Sequence, residues 1–187
     1  MFKRVGSREG RGSSLVYGKL GNSQTYEVGD VVKSYTNGVV DLAAAATPIL
    51  GVLVAIVVGE RAAIEATGSP VAGTALSSNL ATATTGAANA ENYYGIVETS
   101  KNAKFSAEVS GTIGTTVDSE LRGAWIDINS AGTEYGQLLE TTANRTISSA
   151  TGGMSNFYSH GLDPRDSTRL IVSIANSEMD TQIDVTP

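Results

Sequence analysis

Leu42 to Gly59 reads LAAAATPILGVLVAIVVG, eighteen residues without a charge, and its reading decides the fold. A membrane-spanning helix wants about 20 consecutive apolar residues, and this run approaches that length only by counting alanines, Thr47, Pro48, Gly51 and Gly59. Pro48 interrupts it a third of the way in. Beyond Gly51 the β-branched residues Val52, Val54, Ile56, Val57 and Val58 dominate, and their stiff χ1 angles favour strands over helices. Asp41 and Glu60 flank the run, with no Lys/Arg cluster at either end to orient a span. The stretch therefore predicts a loop over Ala43 to Pro48 feeding a buried strand from Ile49 to Val58, and no membrane insertion.

Composition agrees with a β-rich chain. The 187 residues make one domain or two small ones. Charged residues are 17%, below the roughly 25% of average domains, and the 21 glycines exceed the usual share of about 7%. Turns and strands are favoured over surface helices, which want Glu, Lys and Arg. The chain has no cysteine and one histidine, His160, which excludes disulfides, thiolate metal sites and cysteine nucleophiles. Lys3, Arg4, Arg8 and Arg11 sit in a Gly/Ser-rich start with no apolar stretch behind them, so no secretory signal is expected and a cytoplasmic site of synthesis is. The first eleven residues carry a net charge of +3 and the remaining 176 a net of −9. An acidic body with a short basic arm is not the footprint of a nucleic-acid-binding domain.

The expected organisation is all-β with little helix. Residues 1–14 read as an extended N-terminal arm. Residues 15–75 read as a small β-barrel, 76–92 as a low-complexity loop or linker, and 93–187 as a second β-rich part, a sandwich or barrel. Asn37-Gly38, between VVKSYT and VVDL, predicts a two-residue type I′ hairpin. Gly29-Asp30 punctuates YEVGDVV, and Gly68-Ser69-Pro70 ends a strand or short helix begun at Glu60. AGTALSSNLATATTGAANA, residues 72–90, has no charge and only Leu76 and Leu80 as large apolar residues, hence the boundary. Beyond it YYGIVETS, AKFSAEVSG, LRGAWIDI, YGQLLETT and TRLIVSIA recur at turn spacing. Separate domains, or one barrel with a long insertion, both fit this pattern.

No stretch carries convincing catalytic chemistry. SHGLDPRD gathers Ser159, His160, Asp163 and Asp166, but a hydrolytic triad needs a nucleophile on a strained turn and an oxyanion hole, and no G-x-S-x-G occurs. DINSAGTEYGQL, Asp127 to Leu138, has Asp, Asn and Gly where a calcium loop wants them, yet Ala131 and Leu138 stand where it needs a ligand and a bidentate glutamate. A hairpin turn accounts for it better. GSSLVYGKL, Gly12 to Leu20, fails the phosphate-loop spacing. Tyr93, Tyr94, Trp125, Phe157 and Tyr158 suit a core as well as a sugar platform. The sequence thus points to no enzyme, no cofactor, no metal, no small-molecule substrate, no nucleic acid and no membrane.

YEVGDVVKSYTNGVVDLAAAATPILGVLVAIV, with Gly29 to Val32, Asn37-Gly38, Ala43 to Ala46 and Ile49 to Val52, resembles the small β-barrel of the capsid decoration (cement) proteins of tailed bacteriophages. The resemblance lies over residues 25–58. It implies a homotrimer, assembled in the host cytoplasm, that binds the outside of a phage head and bridges neighbouring capsomers of the major capsid protein. Lys3, Arg4, Arg8 and Arg11 are then the candidate capsid contacts, by charge pairing or by adding a strand to a shell edge. The alternative is a receptor- or glycan-binding β module of a phage fibre or bacterial surface.

Overall fold

The computed structural model describes residues 2–7, 14–34, 38–58, 77–87, 93–110, 122–139, 155–175 and 177–178. Among these every regular element is a strand, as the composition predicts. The strands are β1 (Phe2–Ser7), β2 (Leu15–Leu20), β3 (Thr25–Glu27), β4 (Val31–Ser34), β5 (Val39–Leu42), β6 (Gly51–Val58), β7 (Ser77–Leu80) and β8 (Thr82–Thr84). They continue with β9 (Tyr93–Glu98), β10 (Ala103–Glu108), β11 (Trp125–Ile126), β12 (Ile128–Asn129), β13 (Leu138–Leu139), β14 (Phe157–Asp163) and β15 (Asp166–Ile174).

The first sheet runs β4-β5-β2-β9-β6-β7, and β4 pairs with β6 as well, so β4, β5, β2, β9 and β6 close into a ring. The β2–β5 pair is parallel and the others in the ring are antiparallel. The second sheet runs β1-β10-β15-β14-β11 and is antiparallel throughout. Closure of so small a ring demands close backbone approach. A Cβ on Gly51 would stand 2.2 Å from the carbonyl oxygen of Glu98 in β9, so only glycine fits where β6 enters the ring.

The run that opens this section is β6 and its approach, and its missing alternation now has a cause. Consecutive residues divide between two cores. Val31, Ala43, Ile49 and Val52 join a cluster with Phe2, Phe105, Ile126, Phe157, Leu170, Val172 and Ile174 of the second sheet. Their chain neighbours Val32, Leu42, Leu50 and Leu53 fill the ring with Leu20, Tyr26, Val40, Ile56 and Val97. Both faces of this part of the ring wall are buried, and such strands read as unbroken apolar runs. No helix among the described residues is long and apolar enough to cross a membrane.

The structure differs from the sequence reading in three places. Phe2–Ser7, assigned to an extended N-terminal arm, forms β1 against β10, with Phe2 opposite Ala107 and only 2% exposed. Part of the segment read as a linker is strand: β7 pairs with β6, and β8 with β3. β9, assigned to the second part, closes the first ring between β2 and β6. On either side of Asn37-Gly38, β4 and β5 pair antiparallel, with Ser34 opposite Val40. Asn37, and with it the expected type I′ turn, lies outside the described residues, while Gly38 has φ +73°. The Gly68-Ser69-Pro70 turn and the segment from Glu60 lie outside the described residues.

Buried polar groups stitch the ring to the rest. Glu27 to Asp30 form a tight turn, with Gly29 at φ +106° and Asp30 N–H donating to the Glu27 carbonyl at 2.9 Å. The fully buried Asp30 carboxylate accepts the N–H groups of Glu27 and Gly136, each at 2.7 Å, and of Gln137 at 3.4 Å. Gln137 in turn accepts Val31 N–H at 2.8 Å and donates to the Ala43 carbonyl at 2.9 Å. Burial leads the effects on Asp30 and pushes its carboxyl up to about 6, against the pull of those N–H donors.

Candidate functional site

The residues with catalytic or metal-binding potential resolve into structural parts. Ser159 is fully buried and its hydroxyl accepts Gly161 N–H at 3.2 Å. His160 turns Nε2 toward Ser173 Oγ, 3.0 Å away. Asp163 is held by Arg165, whose Nε and Nη2 each donate at 2.9 Å, and that pairing keeps its carboxyl well below the usual range. Asp166 accepts the backbone N–H of Thr168 at 3.0 Å and its hydroxyl at 2.6 Å. The two acids of this stretch are thus engaged by Arg165 and Thr168. The calcium-like stretch is a hairpin, as read: β12 and β13 pair Ile128 with Leu139 and Asn129 with Leu138. Asp127 is spent on the N–H groups of Ala46 and Ile128 and on Asn156 Nδ2. Among the described residues no group of three or more His, Asp or Glu side chains gathers in metal-binding array.

The aromatic residues separate by face. Phe157 is fully buried, its ring centroid 4.8 Å from that of Phe2. Tyr93 packs against the ring core. Trp125 and Tyr158 meet edge to face at 5.9 Å in the second sheet, and both are only partly buried.

Surfaces remain as the candidate functional features, and two stand out. The first is the outward side of β2 and β9. β2 alternates, with Val16, Gly18 and Leu20 turned inward and Leu15, Tyr17 and Lys19 outward. Leu15 is 50% and Tyr17 48% exposed, and Tyr135 is the other exposed large apolar residue described. Register sets Tyr17 beside Ile96, and Lys19 beside Tyr94, both half-buried. Isolated surface apolar residues are ordinary, but a contiguous patch marks contact with something else. The sequence hid this face because its strand was legible while its partner strand was assigned elsewhere.

The second surface is β1, an outermost strand of the second sheet among the described residues. It carries two of the four basic residues singled out in the sequence. Lys3 lies opposite Ser106 and is exposed, and Arg4 lies opposite Phe105. Arg8 and Arg11 fall outside the described residues. Beside β1 an apolar groove of about 470 Å³ opens between the sheets, lined by Phe2, Lys3, Val54, Leu80 and Phe105 among others. An outermost strand has one side of its backbone unpaired within its own sheet and can accept a further strand.

Comparison with known proteins gives no match: no family model, curated protein or solved structure matches the chain.

Proposed function

We propose that the chain is a virion structural protein that binds the outside of a phage head as a homotrimer and stabilises it by bridging neighbouring capsomers of the major capsid protein. The observation that carries this reading is the exposed pair Leu15 and Tyr17 on β2, continued by Ile96 and Tyr94 on β9. Such a face suits contact between copies of the chain. The outermost strand β1, with Lys3 and Arg4, suits contact with a shell, through charge pairing or an added strand, and Arg8 and Arg11 would extend the basic character. Affinity then comes from modest contacts multiplied over three linked copies. The resemblance over residues 25–58 supports the same role.

Because β1 belongs to the sheet, removing the first residues would damage the core as well as any contact, so point substitutions are the proper test. Native mass measurement should give three copies for the wild type and one for Leu15→Ser/Tyr17→Ser, with the same thermal melt. Co-sedimentation with purified heads of the encoding virus should weaken in Lys3→Glu. A wild-type chain that stays monomeric and leaves such heads unbound would sink the reading.

A further inference from the structure

The outward face of the second sheet carries a row of side chains that crosses the strands. Trp125 of β11 lies opposite Tyr158 of β14, Tyr158 opposite Ser173 of β15, and Ser173 opposite Lys104 of β10. Neighbouring strands are about 4.8 Å apart, so the row forms a continuous line. His160 packs edge to face on Tyr158 at 5.2 Å and reaches Ser173 Oγ at 3.0 Å. A groove of about 460 Å³ opens here, lined by Lys104, Arg122, Tyr158, His160, Leu162 and Ile171 among others. Its volume falls within the range of small-ligand sites.

The charged side chains among the described lining residues are opposite in sign to the net charge of the chain. Among the described residues that line the groove are two cations and an imidazole and no carboxylate, although the chain carries a net −6. The acids of the neighbouring strands are already engaged, Asp163 by Arg165, Glu108 by Arg169 and Asp166 by Thr168. Lys104 makes no ion pair with any described residue. The groove lies over the interior strands β14 and β15, each flanked by two partners, so an added strand cannot be the ligand and recognition rests on side chains. Rings and aliphatic side chains offer a surface for C–H faces, while Arg and Lys offer charge-assisted bonds to an anion. A nucleic-acid strand would need a basic track beyond this one groove, and the body outside the first eleven residues carries a net −9.

We propose that this groove binds an acidic sugar, a hexuronic acid unit of an anionic polysaccharide, with Lys104 and Arg122 on its carboxylate and Tyr158 and His160 against its ring. The proposal goes beyond the capsid reading and holds whether or not the chain sits on a head.

Trp125 is the single tryptophan of the chain and stands in the row, so its emission reports on the site. Titrating the intact chain with tetragalacturonate, followed by Trp125 fluorescence and by calorimetry, should give saturable binding in the millimolar range or tighter. Lys104→Ala and Arg122→Ala should each weaken it about tenfold or more, the scale of a lost charge-assisted bond, while Lys104→Arg retains it. Maltotetraose, the neutral control, should not bind. Arg122 is exposed in the turn before β11, so its variant keeps the test decisive should Lys104→Ala melt early. No saturable heat or fluorescence change, equal binding of maltotetraose, tighter binding of oligothymidylate or oligo-aspartate, or full affinity in Arg122→Ala would each overturn the proposal.

Discussion

Replacing Phe2 by alanine tests whether the N-terminal residues are an integral strand or a loose arm. Phe2 is 2% exposed, packs its ring 4.8 Å from that of Phe157 at a tilt of 30°, and belongs to the core between the sheets. Removing a buried phenylalanine from a closed core costs about 3–5 kcal/mol, the lost transfer free energy plus the cavity left behind. Two features reduce that here. Phe2 lines a groove open to solvent, so water fills part of the vacated space, and among the described residues β1 is an outermost strand paired with β10, so the strand can detach rather than hold a cavity open. The expected loss is therefore roughly 2–4 kcal/mol, a fall in melting temperature of roughly 5–15 °C for a chain of this length. Urea titration followed by Trp125 fluorescence and far-UV circular dichroism measures it. Phe2→Leu, which keeps most of the volume, should lose less than about 1.5 kcal/mol, and the exposed neighbour Lys3→Ala should stay within about 0.5 kcal/mol. If Phe2→Ala is as mild as Lys3→Ala, β1 is not docked and the reasoning fails.

Two further predictions concern buried chemistry and close approach. Burial raises the folded-state carboxyl of Asp30 to about 6 from the ordinary 3.8. The folded protein therefore holds this proton more tightly than the unfolded chain, and the contribution of Asp30 to stability falls as pH rises between those two values. The full difference is at most about 3 kcal/mol. Asp30→Asn should gain on the wild type by up to that amount between pH 4 and pH 7, whatever its fixed cost from changed hydrogen bonds; a wild-type minus variant difference that is flat with pH would refute the assignment. Gly51→Ala drives a Cβ to 2.2 Å from a backbone carbonyl of β9 and should destabilise by about 3 kcal/mol. Gly38→Ala, with φ +73° but open space around it, should cost only about 1–2 kcal/mol; equal melting temperatures for the two variants would show that ring closure does not bring the strands so near.

The sequence reading succeeds where side-chain type and backbone preference agree. The β-branched density after Gly51, the Gly29-Asp30 turn and the hairpin around Gly38 all name local structure correctly because their physics is local. It fails at β7 and β8, SSNL and TAT, whose small and polar residues give no apolar signal. They are strands because β6 and β3 offer backbone partners, and Leu80 and Ala83 reach the ring core. The basic start misleads for the opposite reason: four basic residues and three glycines within fourteen residues look like a tail, while Phe2 anchors the strand in the core. The row of Trp125, Tyr158, Ser173 and Lys104 joins residues up to 69 positions apart, which no spacing in the chain reveals.

By itself the sequence determined that this is an all-β protein, that LAAAATPILGVLVAIVVG is a loop and a buried strand, and where several turns fall. Backbone dihedral preference and side-chain shape act over a few residues and are written directly in the chain. Tertiary structure decided which strands pair, how β9 and β6 close the ring, that Val52 and Leu53 serve two different cores, and which side chains share an outward face. Those outcomes depend on long-range register, and in a sheet a shift of one residue turns every side chain to the opposite face.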